Sequence, residues 1–151
     1  MLYENHLAVV GPKQVIEQFL EFAAGEDPFD FDRFIPYPEE FKRRAELIDF
    51  LGYEPDDDVS DLNWCAENWG AWEAYRVEVQ GPVPACDGKT ARVVFLIVTL
   101  YGPPLPVIRK AAELYSALRF EFRYFRCGSL FHGLIYCSGG KVEFEQSGPY
   151  F

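Results

Sequence analysis

Along most of this chain, hydrophobic and polar positions either alternate or recur every three to four residues, and the switches between the two periods mark out its elements. From Asn5 to Gly11 the positions alternate, with Leu7 and Val9 on one side, which predicts a strand. Pro12 suits the first turn of a following helix. In that helix Val15, Ile16, Phe19, Leu20 and Ala23 share a face, Lys13, Gln14, Glu17, Gln18 and Glu21 point away, and Gly25 closes it. Residues 27–38, DPFDFDRFIPYP, read as an extended connection pinned by buried Phe29, Phe31 and Phe34, with Pro36 and Pro38 excluding a helix. Glu39 to Leu51 is a second amphipathic helix, with Phe41, Ala45, Ile48 and Leu51 on one face and Gly52 past its end.

The second half returns to the two-residue period. Tyr75, Val77 and Val79 alternate with Arg76, Glu78 and Gln80, predicting a half-buried strand, and residues 81–89 with two prolines read as a loop. Ala91 to Leu100 is almost entirely apolar and β-branched, so it is expected as a central strand, paired with 75–80 as an antiparallel hairpin and covered by helices. Gly102-Pro103-Pro104 opens a helix whose face is Val107, Ile108, Ala111, Leu114, Tyr115 and Leu118. Arg119 to Phe125 alternates again, with Phe120, Phe122 and Tyr124 on one side. Leu130–Cys137 and Lys141–Gln146 are two more strands joined by Ser138-Gly139-Gly140. With the inserted helix set aside, the order is β-α-β-β-α-β plus a hairpin. That is the ferredoxin-like α+β plan, an antiparallel sheet with two helices on one face, expected here as a single domain over 1–151 with a helical, acidic insertion at 39–62 and an extra hairpin at 130–146.

Charge changes the picture. Residues 1–62 hold 16 acids against 5 bases, a net −11, whereas residues 63–151 hold 8 against 9, a net +1. A nucleic-acid binder needs Lys and Arg for phosphate, so direct DNA or RNA binding is not expected and a basic protein partner is. The longest apolar run, Val93 to Val98, has the length of a strand, so no membrane span is expected. Glu4 stands where an export signal would carry bases, which makes the expected location the cytoplasm.

Candidate chemistry is sparse. Cys65, Cys86, Cys127 and Cys137 show no Cys-x-x-Cys spacing and read as reduced, mostly buried thiols rather than zinc ligands. No spacing joins a cysteine to His6 or His132 as nucleophile and base. The acidic run from Glu54 to Asp61 lacks the alternation, central Gly and closing Glu of a calcium loop, and reads as a solvated loop. No glycine-rich phosphate cradle is present, and no cofactor is expected. Arg119, Arg123 and Arg126 either bind an anion or acidic peptide or, with Glu121 between them and acids abundant in the N-terminal part, pair within the molecule, which is the expected reading. All three tryptophans fall within Asn63–Trp72 (NWCAENWGAW), and they serve either as core over the sheet end or as an aromatic binding segment of Trp64, Asn68, Trp69 and Trp72.

Several landmarks resemble the YubB ferredoxin-like domain family of bacteriophages and conjugative plasmids, which has no assigned biochemical activity. They are Asn5-x-Leu7-x-Val9-x-Gly11-Pro12, FDFDRFIPYP, Trp64-Cys65 with NWGAWEA, Tyr101-Gly102-Pro103-Pro104 and Gly128-x-x-Phe131-x-Gly133, spread over nearly the whole chain. Two positions depart from the family pattern. Only Ala71 separates Gly70 from Trp72, where the family has one residue more, and Arg126-Cys127 stands where it places an acid. The resemblance implies a fold and a mobile-element origin, not a reaction.

Taken together, these features lead us to expect a non-enzymatic interaction protein of a phage or plasmid. Its acidic face (Glu17, Glu21, Glu54, Asp56, Asp57, Asp58 and Asp61) would engage a basic protein or nucleic-acid-binding complex of the host, in a specific form by imitating DNA phosphate in a restriction or CRISPR complex. The alternatives are a small-ligand binder or enzyme with a Trp-lined pocket, and a homo-oligomer formed across a sheet edge.

Overall fold

A computed structural model describes residues 1–55 and 60–149. Six strands, β1 (Leu2–Pro12), β2 (Glu73–Pro84), β3 (Thr90–Leu100), β4 (Arg119–Arg126), β5 (His132–Ser138) and β6 (Lys141–Gly148), form one antiparallel sheet in the order β2-β3-β1-β4-β5-β6. The first four stand in the ferredoxin-like arrangement, and the β5–β6 hairpin widens the sheet beyond β4. Two helices, α1 (Lys13–Ala23) and α5 (Leu105–Leu114), lie on one face. They bury Ile16, Phe19, Ala23, Val107, Ile108 and Ala111 against Leu7, Val9, Val93, Phe95, Phe120 and Phe122, the alternate residues of the central strands. Phe19 sits at the centre, its ring 5.2 Å from Tyr115, 5.6 Å from Phe120 and 6.1 Å from Phe95.

Three further helices sit between β1 and β2 in the sequence: α2 (Phe31–Phe34), α3 (Glu39–Leu51) and α4 (Leu62–Asn68). Phe29, Phe31 and Phe34 are buried as expected, but 31–34 is one helical turn rather than extended. Asp30 caps that turn by accepting from the Asp32 amide at 3.0 Å. The turn ends before Pro36 and Pro38, so the prolines do not oppose it. The helix over 62–68 was not expected from the pattern.

β2 also departs from expectation. It runs on through Pro84 into the stretch read as a loop, and most of it is exposed. It is an edge strand, where a proline costs no ladder hydrogen bond. An irregularity between Ala74 and Arg76 carries Tyr75 out of register, and Val79, in register, is still 40% exposed on this edge strand, which leaves only Val77 of the expected trio packed on the core. Cys86 and Cys127 are exposed, against the expectation of mostly buried thiols, because both fall just outside strands that the helices cover.

Candidate functional site

α3 begins after Pro38, carries Glu39 and Glu40 in its first turn, where the helix dipole favours acids, and ends at Gly52 in the left-handed conformation at φ +75°. Phe41, Arg44, Ile48 and Leu51 form its half-buried side, and none of its residues is fully buried. It is an attached element rather than part of the core.

The attachment runs through a ring cluster. Trp69 donates its indole N–H to the Ile35 carbonyl at 2.8 Å, Tyr37 stacks on Trp69 at 5.5 Å, and Trp64 meets Trp69 edge-on at 5.2 Å. Phe31 approaches Trp69 from the core side at 5.7 Å. The Tyr37 hydroxyl donates to the Asp61 carboxylate. Burial, with that carboxylate adding to it, holds the Tyr37 phenol well above its ordinary value. Burial, with the Asp61 charge second, pushes the neighbouring Cys65 thiol up to about 11. Cys65 therefore stays protonated near neutrality, the opposite of an activated nucleophile.

Behind the rings the chain turns at Gly70 (φ +82°), where an added Cβ would stand 2.7 Å from the Pro103 carbonyl oxygen. This close approach ties the end of α4 to the start of α5.

In front of the rings lies a cleft of about 550 Å³. Six carboxylates line it: Glu26, Asp30, Asp32, Glu46, Asp61 and Glu73. Its one cation is Lys42, 3.7 Å from Asp32 and 3.6 Å from Glu39. Among the described residues no cation pairs with Glu26, Glu46 or Glu73. Tyr37, Trp69 and Trp72 supply aromatic surface, Trp72 being 38% exposed and stacked on Tyr101 at 5.1 Å. A second cleft of about 330 Å³ shares Tyr37, Ala45 and Asp61 with the first and adds Phe41, Arg44, Ile48 and Glu54. Carboxylates beside indole faces offer an ammonium or guanidinium group both charge pairing and cation–π contact.

The expected site residues divide accordingly. Asp61, Trp69 and Trp72 line the main cleft and Glu54 the second. Trp64 belongs to the ring cluster, and Asn68 serves α4 itself, its side-chain amide donating to the Trp64 carbonyl at 2.9 Å. Glu17 and Glu21 line neither cleft. α1 turns Ile16, Phe19 and Ala23 inward, so the two glutamates are exposed on its outer side. Asp56, Asp57 and Asp58 lie outside the described residues.

Sequence reading missed Glu26, Asp30, Asp32, Tyr37, Lys42, Glu46 and Glu73. A partial signal for two of them was present in the acids interleaved with Phe29 and Phe31, although it is the turn capped by Asp30, not strand alternation, that leaves Asp30 and Asp32 partly exposed. His6 and His132 flank Phe125 on the sheet face away from the helices, each 6.0 Å from its ring. The arginine set is partly paired: Arg119 lies 3.4 Å from Glu121, and Arg123 donates to the Tyr136 hydroxyl at 3.3 Å. Among the described residues no group of three or more His, Cys, Asp or Glu could hold a metal ion. No helix among them is long and apolar enough to cross a membrane.

No family model matches the chain, and no curated protein matches it. A solved structure does: a crystal structure of a protein api92 from Yersinia pseudotuberculosis, family-model DUF1281, with a TM-score of 0.60 and 7% sequence identity over 97% of both chains. At that identity the likeness concerns the fold alone.

Proposed function

We propose that this protein is a non-enzymatic interaction module that receives a basic segment of a partner protein in the cleft between α3, α4 and the start of β2. The observation that carries this reading is the cleft lining, six carboxylates against one ammonium beside two indoles and a phenol. Lysine or arginine side chains gain there from the uncompensated Glu26, Glu46 and Glu73 and from the aromatic faces. The regional −11 over residues 1–62 steers such a partner toward this end of the chain.

The test is a titration of the protein with fluorescent oligolysine and oligoarginine peptides at rising salt, read by anisotropy and by the intrinsic tryptophan emission. Expected are saturable binding, loss of about tenfold or more in affinity as the Debye length shrinks from ~30 Å to ~8 Å, and weakening by Glu46→Gln with Glu73→Gln. Absence of binding, or affinity indifferent to ionic strength, overturns the reading. A narrower form makes the protein a phage or plasmid product that imitates DNA phosphate in a host defence complex. Its support is the regional acidity and the family resemblance, and it requires competition with DNA for the captured partner.

The exposed Trp72 ring favours one second reading, a small organic cation as ligand. Saturable quenching by choline or spermidine, unaffected by oligolysine, would establish it in place of the first.

A further inference from the structure

α3 carries a broader apolar face than its attachment to the body uses. Phe41, Ile48 and Leu51 account for its attachment to the body. Leu47, one turn before Leu51, and Phe50, three residues on from Leu47, widen that face beyond the attached side into an exposed stripe, and the fold gives them little to cover: Phe50 is 86% and Leu47 46% exposed. Tyr53, just past the Gly52 cap, is also exposed, to 64%. A phenylalanine as exposed as Phe50, in the last turn of the helix and beside an exposed leucine, is apolar surface without an internal use. Around the stripe stand Glu46, one turn before Phe50, with Asp49 and Glu54; the bases nearby are Arg43 on the same helix side, Arg44 in the lining of the second cleft, and Lys42, already beside Asp32 and Glu39. Glu46 also lines the main cleft and Glu54 the second, so stripe and clefts are continuous.

We infer that the partner segment is a basic amphipathic helix that lies along α3, its apolar side on Leu47, Phe50 and Tyr53 and its lysines and arginines on the carboxylates of the rim and cleft. This rests on the cleft being the site for a basic partner and adds the partner's secondary structure and its anchor residues. Charge selects the occupant. A second copy would bring two net −11 regions together, and an anionic lipid surface would be repelled in the same way, whereas a basic helix complements both the acids and the stripe.

The probes are a Lys/Leu peptide with leucines at i, i+3, i+4 and i+7 and an isomer of the same composition shuffled so that no face forms. Both are titrated by anisotropy against the full chain and its Leu47→Ser/Phe50→Ser variant, which alters only exposed side chains. The patterned peptide is expected to bind about tenfold more tightly than the shuffled one, with helix content rising on binding, and the variant to abolish that preference while keeping the melting temperature. Equal binding of both peptides, or a preference the variant retains, overturns the inference and leaves the cleft reading standing. Failure of every basic peptide, oligolysine included, removes both. A dimer in sedimentation that the variant dissociates would assign the stripe to a second copy instead.

Discussion

Phe19 and Phe50 are the same side chain on two helices of similar length, and their surroundings separate the molecule into two regions. Phe19 has no exposed surface and meets the rings of Phe29, Phe34, Phe95, Tyr115 and Phe120, whereas Phe50 points into solvent. The helix that bears Phe19 buries three residues completely, and α3 buries none. The sheet with α1 and α5 is held by apolar burial. The flank of α3 and α4 is held by a ring cluster and a few directed bonds, chiefly Trp69 to Ile35 and Tyr37 to Asp61. A region fixed by few contacts opens at lower free energy than the body, and binding surfaces are drawn from such regions. The acidic cleft lies where that looser region meets the rest.

The largest test of this contrast is truncation of the two rings. Phe19→Ala should cost about 3–5 kcal/mol, because it empties the centre of a close-packed core. Phe50→Ala should stay within about 0.5 kcal/mol. Urea midpoints at constant slope measure both, and similar losses would mean that the flank is as integral as the body. Next in size is Gly70→Ala. A non-glycine residue at φ +82° is strained by about 1–3 kcal/mol, and its Cβ would meet the Pro103 carbonyl oxygen at 2.7 Å. Since this turn joins the flank to the start of α5, the loss should appear in global stability as well as in tryptophan emission. A change in emission alone would show that the joint does not transmit.

The body was legible in the sequence and the site much less so, for one physical reason. Where burial decides, periodicity records it: Leu7 and Val9, Ile16 and Phe19, Phe120 and Phe122 all point where their spacing says. Where long-range polar contacts decide, spacing is silent. Nothing local brings Asp61 to Tyr37 or Trp69 to the carbonyl of Ile35, and Glu26, Glu46 and Glu73 meet only through the tertiary arrangement. The edge strand was misread because alternation in Tyr75–Val79 does not reveal that a register irregularity turns Tyr75 outward. Acidity was legible as a regional excess, but its concentration beside the tryptophans, to the exclusion of Glu17 and Glu21, was not.

A smaller effect is expected at the polar pin. Tyr37→Phe keeps the stacked ring and removes the hydroxyl that donates to Asp61, a loss of about 1 kcal/mol for a partly exposed hydrogen bond from a neutral donor to a carboxylate. The same bond predicts a pH dependence. Because the folded-state phenol is held above its ordinary value, its contribution is fully present below the unfolded-state pKa of about 10 and falls away as pH rises beyond it. Alkaline titration should therefore shift the tryptophan emission before the core unfolds, and Tyr37→Phe should remove that early step. An emission change that coincides with global unfolding in both proteins would merge the two regions into one cooperative unit.

The finest discrimination comes from two thiols with equal exposure. Cys65 and Cys137 are each only 1% exposed, but Cys137 belongs to the core cluster while Cys65, on α4, lies outside it. In the closed state neither reacts, Cys65 the less for a pKa near 11, so labelling reports opening rather than chemistry. Exposed Cys86 and Cys127 should react at once with a thiol reagent. Cys65 should follow at least about tenfold faster than Cys137, the rate ratio that corresponds to a flank opening ~1.4 kcal/mol below global unfolding. Tyr37→Phe should accelerate Cys65 several-fold and leave Cys137 unchanged, because the hydroxyl it removes pins only the flank. Mass spectrometry of partly labelled protein separates the four sites. If Cys65 and Cys137 become labelled together, in step with unfolding, the flank has no opening of its own, and the cleft must bind its partner as a rigid surface.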